Sequence, residues 1–243
     1  AALIASMFAP FHECTHTTAF ATPVLNRVGV WIGGLFSGMS PSFYRDFHFQ
    51  HHRHTQDPER DPEIALDPEN SGPWPRSVRG WMLMITHVGL LMTKLRFMLS
   101  HWFRPRRATG ESEHRRKLSK VTFEFRVIGA FWFGLAVGAV LGVPGALAMI
   151  VAFCLSHVFL GIWLQAEHTG RPCEGSILER TRTVETHALV RYFLWNMNYH
   201  AEHHAWPAIP WYALPKVHER VRSHVDAAPG YLALHRDVYA ALG

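Results

Sequence analysis

The sequence predicts an all-α fold: an integral-membrane helical bundle with a histidine-rich helical cap on its cytoplasmic side. Three observations predict it. Two long apolar blocks are separated by a glycine-proline turn, a basic segment precedes them, and histidines recur at helical spacing elsewhere in the chain. No internal repeat is visible, so we expect the 243 residues to form a single domain, 1–243.

The two apolar blocks, residues 121–143 and 145–167, each contain 23 residues. A helix of that length is about 34 Å long, which is enough to cross the hydrocarbon core of a bilayer. The segment 104–120 holds seven lysine and arginine residues, whereas the turn between the blocks holds none. Cytoplasmic loops carry an excess of these residues, so we expect this segment in the cytoplasm. A buried hairpin in a soluble core is the alternative, but the blocks are long and nearly free of ionisable groups.

Two further apolar blocks, 24–43 and 78–103, are ambiguous. The first is interrupted by Arg27 and four glycines, and the second contains Lys94, Arg96 and two histidines. The histidine clusters on either side of these blocks must meet at one site, so an even number of membrane crossings separates them. Because the hairpin already provides the two crossings between the second and third clusters, we expect 78–103 not to span the membrane and to be an interfacial or amphipathic helix. The same parity predicts that 24–43 is re-entrant or lies at the membrane surface.

The charge pattern indicates a membrane partner. The chain has a net charge of +5 and a pI near 9.4. Its basic residues flank apolar blocks and do not interleave with exposed aromatics, so we do not expect nucleic acid as a partner. The three cysteines lie far apart without a CxxC motif, which excludes a disulfide framework.

The 18 histidines are the most informative feature, because most of them are grouped. On a helix, positions i, i+3 and i+4 lie on one face, so each HxxHH motif forms a triangle of imidazoles and the HxxxH motif forms a pair. We predict that these histidines, with an isolated one in QAEHTG, are metal ligands. The predicted ligands are His12, His16, His48, His51, His52, His168, His200, His203 and His204.

Nine imidazoles are too many for one metal ion with four to six ligands, so the pattern predicts two ions. Imidazole suits both iron and zinc. We expect two iron ions, with zinc as an artefactual occupant, because structural zinc sites usually have four ligands that often include Cys, and Cys14 lies about 200° around the helix from His12. No catalytic residue separate from the metal site is expected.

Polar groups beside the clusters are candidates to fix the second ring nitrogen of a ligand. The alternative is that they are solvated at the cytoplasmic face. Asn196 precedes His200 by one helical turn and is a candidate to hold a metal-bound water or a weak ligand position. The complete candidate set is Glu13, Asp57, Asp61, Glu167, Glu202 and Asn196.

Two further histidines lie outside the clusters. His157 precedes His168 by eleven residues, which returns to nearly the same helix face three turns deeper. Two interpretations stay open for it: it lines a substrate channel, or it bonds a neighbouring helix. His218 follows a proline-rich segment, and we expect it at the surface.

These motifs resemble the membrane fatty acid desaturase and hydroxylase superfamily, in the branch with HxxxH, HxxHH and HxxHH boxes. The resemblance runs from His12 to about His218 and includes HFQHHRHTQDPERDPE and NMNYHAEHHAWPAIPWYALPKVH. It implies a di-iron centre facing the cytoplasm above a transmembrane bundle, with an apolar tunnel for a long-chain substrate. The nine predicted ligands correspond to the family's ligand positions.

The resemblance also implies an activity: O2-dependent removal of hydrogen from an unactivated C–H bond of a long-chain lipid, with fatty acyl desaturation as the first choice. A lipid or carotenoid hydroxylase or ketolase, and a di-zinc hydrolase, are the alternatives. Without a haem-binding or four-cysteine pattern in the sequence, we expect electrons from a separate donor such as a ferredoxin or a b-type cytochrome.

The chain departs from the family pattern at its start. It opens inside an apolar run, 1–10, whereas family members have a further helix or hairpin before the first box. We therefore expect part of the membrane domain to precede residue 1. The composition, which is rich in Ala and Arg, favours a bacterial inner membrane over the endoplasmic reticulum.

Overall fold

The computed structural model describes residues 1–66, 73–103 and 112–242, except for the side chains of 65, 66 and 112–115. Most of the basic residues predicted to face the cytoplasm, in segment 104–115, lie outside the described residues or side chains. The regular secondary structure of the described part is almost entirely helical, which confirms the predicted all-α class.

The helices follow one another closely along the chain. They are α1 (Ala2–Ser6), α2 (Phe8–His16), α3 (Pro23–Ser37), α4 (Pro41–His54), α5 (Pro62–Leu66), α6 (Val78–Thr86), α7 (Val88–Phe103), α8 (Ser112–Val140), α9 (Ala146–His168), α10 (Ile177–Arg180), α11 (Ala188–Phe193), α12 (His200–Ala205), α13 (Leu214–Val221) and α14 (Tyr231–Ala240), with a 3₁₀ turn at Arg222–His224. Two short strands, β1 (Thr183–Val184) and β2 (Ala227–Ala228), pair in parallel.

The helices α8 and α9 form the predicted membrane hairpin. Among the described residues, Arg116–Val140 and Ala146–His168 are each long and apolar enough to cross a membrane. Gly142 and Gly145 adopt positive φ angles of 75° and 78°, which lets the chain reverse within a few residues. Large apolar side chains such as Phe133 remain exposed on the hairpin, as expected for a surface that contacts lipid.

The helices α6 and α7 form a bent pair rather than a straight helix. Their axes differ by 47° at His87, whose φ angle is 52°. The two together are apolar enough to count as a broken span or a re-entrant loop. The end of α6 packs closely on α9 at Gly161. A Cβ atom at this position would collide with the carbonyl oxygen of Ile85, so the contact requires glycine.

The helix α3 covers most of the other ambiguous block. Its 15 residues extend about 22 Å, which is short of the roughly 30 Å of a bilayer core. Gly33 and Gly34 allow it to lie against Phe11 of α2. The opposite side of α3 exposes apolar residues, including Val28 and Ile32.

The end of α9 forms the base of the histidine-rich cap. Trp163 and Ala166 of α9 pack with Ala9, Leu194 and Met197 in one buried cluster. A second apolar cluster, around Phe125 and Ile128 of α8, packs against α7. The cap helices α2, α4 and α12 are therefore attached to the same end of the hairpin.

Candidate metal centre

The structure brings all nine predicted histidines together. His12 and His16 lie on α2, the first HxxHH motif lies in the last two turns of α4, His168 ends α9, and the second HxxHH motif lies on α12. They form two groups, and within each group one potential ligand atom per residue lies within 4.8 Å of every other. Group one is His12, His16, His48, His52 and His203; group two is His51, His168, His200 and His204.

The two HxxHH motifs are divided between the groups in a regular way. In α4, the i and i+4 histidines, His48 and His52, join group one, while the i+3 histidine joins group two. In α12 the assignment is reversed, because His200 and His204 join group two while His203 crosses to group one. Each helix therefore contributes to both groups, although the sequence predicted one triangle per motif.

Facing Nε2 atoms fill the interior of group one. The distances are 2.7 Å between His16 and His48, 3.0 Å between His48 and His52, and 3.2 Å between His52 and His203. Neither ring nitrogen of His12 has a hydrogen-bond partner among the described residues, although the ring is buried.

Group two has the same arrangement. The Nε2 atom of His168 lies 3.2 Å from that of His51 and 2.8 Å from that of His200. The Nε2 atom of His204 is buried without a hydrogen-bond partner in the described part of the chain. Buried polar atoms are normally satisfied, so converging nitrogens of this kind fit a metal ion in each group.

Burial lowers the pKa of most of these imidazoles, which favours the neutral form that metal ligation requires. Burial, followed by the positive charge of Arg45, lowers the pKa of His16 to about 4. Burial, followed by His16 and His51, lowers the pKa of His52 to about 2. The pKa of His203 is also lowered, chiefly by burial and then by neighbouring histidines.

Asp61 fixes the orientation of His51. Both carboxylate oxygens accept from the Nδ1 atom, at 3.0 and 3.1 Å, and they also accept from the backbone N–H groups of Gln56 and Glu63 at 2.9 Å. Burial opposes the charged form, but Glu63 and Asp61 outweigh it and raise the pKa of His51 above its ordinary value. The proton therefore stays on Nδ1 while Nε2 faces His168.

Thr55 performs the corresponding task for His204, and the sequence analysis missed it. Its hydroxyl donates to the carbonyl of His51 at 2.8 Å, so the same oxygen accepts from His204 Nδ1 at 3.2 Å. Nε2 of His204 is then the nitrogen available to a metal. A threonine four residues after His51 was the only signal in the sequence.

Two predicted carboxylates lie beside the groups at longer range. Glu13 is fully buried, and one of its oxygens lies 3.8 Å from His12 Nδ1 and 3.9 Å from His203 Nδ1. Burial raises the pKa of Glu13 to about 7. Glu167 lies 3.5 Å from His200 Nδ1 and accepts from the indole of Trp163.

The structure places the other three polar candidates away from the imidazoles. Asp57 accepts from Arg60 in an exposed turn. Asn196 donates to the carbonyl of Trp211, and the helical phase used to place it does not apply because α12 begins only at His200. In the described part of the chain, neither side chain has a recorded contact with the nine histidines.

Glu202 faces away from both groups. Its carboxylate accepts from the Thr183 hydroxyl and from Nδ1 of His218, the latter at 2.5 Å. The prediction that His218 lies at the surface was wrong, because only 8% of this residue is exposed and the Glu202 carboxylate holds it inside. Glu202 therefore fixes α12 to the segments around it.

A cavity lined mostly by apolar side chains lies beside the histidines. Its wall includes Tyr44, whose ring stacks on His48 with 5.2 Å between centroids, and Glu63, whose carboxylate lies 3.7 Å from His51 Nδ1. Most of the remaining wall is apolar, with Leu160 and Leu164 of α9 among its residues. An apolar cavity with a few polar groups in its wall is typical of a site for an apolar ligand.

His157 lies deeper along α9 and is almost fully buried. Its Nδ1 atom bonds the carbonyl of Phe153, and its Nε2 atom lies 3.3 Å from Nζ of Lys94 on α7. Of the two open interpretations, the bond to a neighbouring helix is the one that the structure contains. Lys94, which the sequence analysis did not select, lines the cavity.

Comparison with known proteins agrees with this geometry. A family model described as "Fatty acid desaturase" matches residues 1–237. The chain is 23% identical over 239 residues to the protein named "Sphingolipid delta(4)-desaturase DES1" of Drosophila melanogaster, and the match covers 96% of this chain and 67% of that relative. The family match extends over nearly the whole chain and includes every histidine of both groups. The chain therefore belongs to the fatty acid desaturase family, and it is an oxidoreductase of lipids with membrane-spanning helices.

Proposed function

We propose that this protein is an O2-dependent di-iron desaturase that converts a –CH2–CH2– unit of a long lipid chain into a double bond. The balanced reaction consumes one O2, two electrons and two protons, and it yields the alkene and two waters. The observation that carries the proposal is the position of two imidazole groups beside one apolar cavity. Iron held by these groups would supply the activation of O2 and the removal of hydrogen from an unactivated C–H bond.

The protein's own part begins with ligand orientation. Asp61 and Thr55 each hold the Nδ1 proton of a histidine, so the Nε2 lone pairs of His51 and His204 point into group two. Such outer partners commonly change metal affinity or activity by about 10- to 100-fold. The buried position of the groups limits access of water to the reacting atoms.

The cavity supplies the position of the substrate. The ring of Tyr44 lies between the cavity and His48. The side chain of Glu63 lines the cavity and also lies near His51. A lipid chain in this cavity would lie between α7 and α9, with Tyr44 and Glu63 between it and the two histidine groups. The sphingolipid desaturase relative supports a lipid chain as the substrate.

The sidedness and the electron supply are part of the same proposal. The start of α8 carries exposed basic side chains beside the cap, including Lys117, which pairs with Asp46 of α4. We propose that this face lies on the cytoplasmic side of a bacterial inner membrane, where a separate ferredoxin or b-type cytochrome docks. Complementary charge would guide an acidic donor to this face.

Expression in a host with and without an intact second HxxHH motif tests the function, with lipids analysed by mass spectrometry. We expect new double bonds only with the intact motif, together with about two irons per chain. An alcohol as the main product would indicate the hydroxylase alternative. A protein that holds only zinc and consumes no O2 with a reductant would contradict the proposal.

A further inference from the structure

Lys94 is an ionisable residue within the apolar part of the molecule. It lies on α7, it is only 2% exposed, and its side chain lines the cavity beside Leu90 and Phe97. Ionisable groups in such positions are costly, and in membrane proteins they commonly mark functional sites. The presence of Lys94 therefore needs an explanation beyond packing.

The described hydrogen bonds of Lys94 do not use all its donors. The ammonium group carries three N–H donors, and the structure shows one bond, to Nε2 of His157. The Nδ1 atom of His157 is occupied by the carbonyl of Phe153, so Nε2 is fixed as the acceptor. The pair thus holds the Lys94 nitrogen at the cavity wall with hydrogen-bonding capacity left over.

Ser37 gives a second, independent indication. Its hydroxyl oxygen is buried, has no hydrogen-bond partner in the described part of the chain, and belongs to a residue of the same cavity wall. It comes from the end of α3, whereas Lys94 comes from α7. Two polar side chains from different helices therefore line an otherwise largely apolar cavity.

The depth of this polar position distinguishes a chain substituent from a headgroup. His157 lies eleven residues before His168 on α9, which is about 16 Å along the helix axis from the metal centre. Headgroups remain near the membrane surface, so an oxygen at this depth must be carried by the lipid chain itself.

We propose that the cavity selects a lipid whose chain carries a hydroxyl or carbonyl oxygen, and that Lys94 and Ser37 bind this oxygen. The inference rests on the proposed function, since it names the substrate class of the same site. Its test is a binding measurement, so a protein that binds such lipids without oxidising them would contradict the proposed function alone.

The experiment uses the purified full chain in detergent and the displacement of a bound fluorescent fatty acid. The probes are octadecanoic acid and a series of hydroxyoctadecanoic acids with the hydroxyl at positions from mid-chain to the terminal carbon. We expect at least one hydroxylated isomer to bind about tenfold more tightly than the plain acid, as expected for one buried hydrogen bond. Equal affinities across the series would overturn the proposal.

Two variants test whether Lys94 and Ser37 cause the preference for the hydroxylated acid. Lys94→Met keeps an unbranched side chain of similar length without the donor, and Ser37→Ala removes only one hydroxyl. We expect both to lower the ratio of the affinity for the hydroxylated acid to the affinity for the plain acid. Lys216→Met, on the exposed side of α13, is the matched control and should keep the full preference. Thermal unfolding identifies a misfolded variant. If Lys94→Met misfolds, the result for Ser37→Ala decides. A Ser37→Ala protein that keeps the full preference for the hydroxylated acid contradicts the proposal.

Discussion

Individual polar side chains determine which nitrogen of each histidine faces the centre. Asp61 contacts His51 Nδ1 with both oxygens and also accepts two backbone N–H groups, so an amide in its place would direct a donor at another donor. We expect Asp61→Asn to lower the iron affinity of group two by about 10- to 100-fold. Chelator competition measures this change. Asp57→Asn is the control, since Asp57 contacts Arg60, and a similar loss there would contradict the assignment.

The Thr55 hydroxyl permits a separate test at this scale. Valine has nearly the same shape as threonine but cannot accept a hydrogen bond, while serine can. We expect Thr55→Val to reduce iron retention and turnover about tenfold, because His204 Nδ1 loses its acceptor. Thr55→Ser should stay within about twofold of the unchanged protein. Equal behaviour of the two variants in metal analysis would show that the hydroxyl has no such role.

The residue scale also shows how far sequence reasoning extends. Helical spacing predicted that the clustered histidines would converge, and they do. Adjacency in sequence was a weaker guide, because Asp61 contacts a histidine whereas Asp57 does not. Thr55 and Lys94 could not be selected, since their roles depend on which distant segments pack beside them.

At the scale of elements, the crossed assignment of the HxxHH motifs is the main result. The face shared by i, i+3 and i+4 was predictable, but the division of that face between two groups depends on how α4 and α12 approach each other. His203 crosses to group one, while its neighbours on α12 serve group two. The spacing alone is compatible with either division.

Double variants test this division. His203→Ala and His12→Ala should each remove one iron per chain, and the combination should remove no more, because both serve group one. His203→Ala combined with His168→Ala should remove both irons. Elemental analysis after loading with excess ferrous iron and desalting gives the count. If His203→Ala and His168→Ala together leave one iron, the crossed assignment is wrong.

At the scale of the whole molecule, the histidine groups define the course of the chain through the membrane. His51 and His168 meet, although α6, α7, α8 and α9 lie between them. Two of these helices form the hairpin, so we predict that the bent pair α6–α7 enters and leaves on one side. The hairpin was predictable from the length and apolar character of its two helices. The close contact of α6 with Gly161 of α9 was not, because it depends on how the helices pack in three dimensions.

Cysteine labelling tests this topology. In a chain with Cys154→Ser and Cys173→Ser, which keeps only the buried Cys14, the changes Arg79→Cys and Phe103→Cys are made one at a time to mark the two ends of the bent pair. We expect a membrane-impermeant maleimide to label both from the same side. A cysteine at Val143, in the hairpin turn, should react from the opposite side. Labelling of the two ends from opposite sides would contradict a re-entrant pair and the even number of crossings.

The turn between α8 and α9 is the part of the described chain that emerges on the side opposite the histidines. It contains no charged residue and reverses direction through Gly142 and Gly145. A protease confined to that compartment would therefore meet only a few apolar residues of the described chain. If the proposed function holds, iron, protons and reducing equivalents would all reach the histidine groups from the compartment that the cap faces.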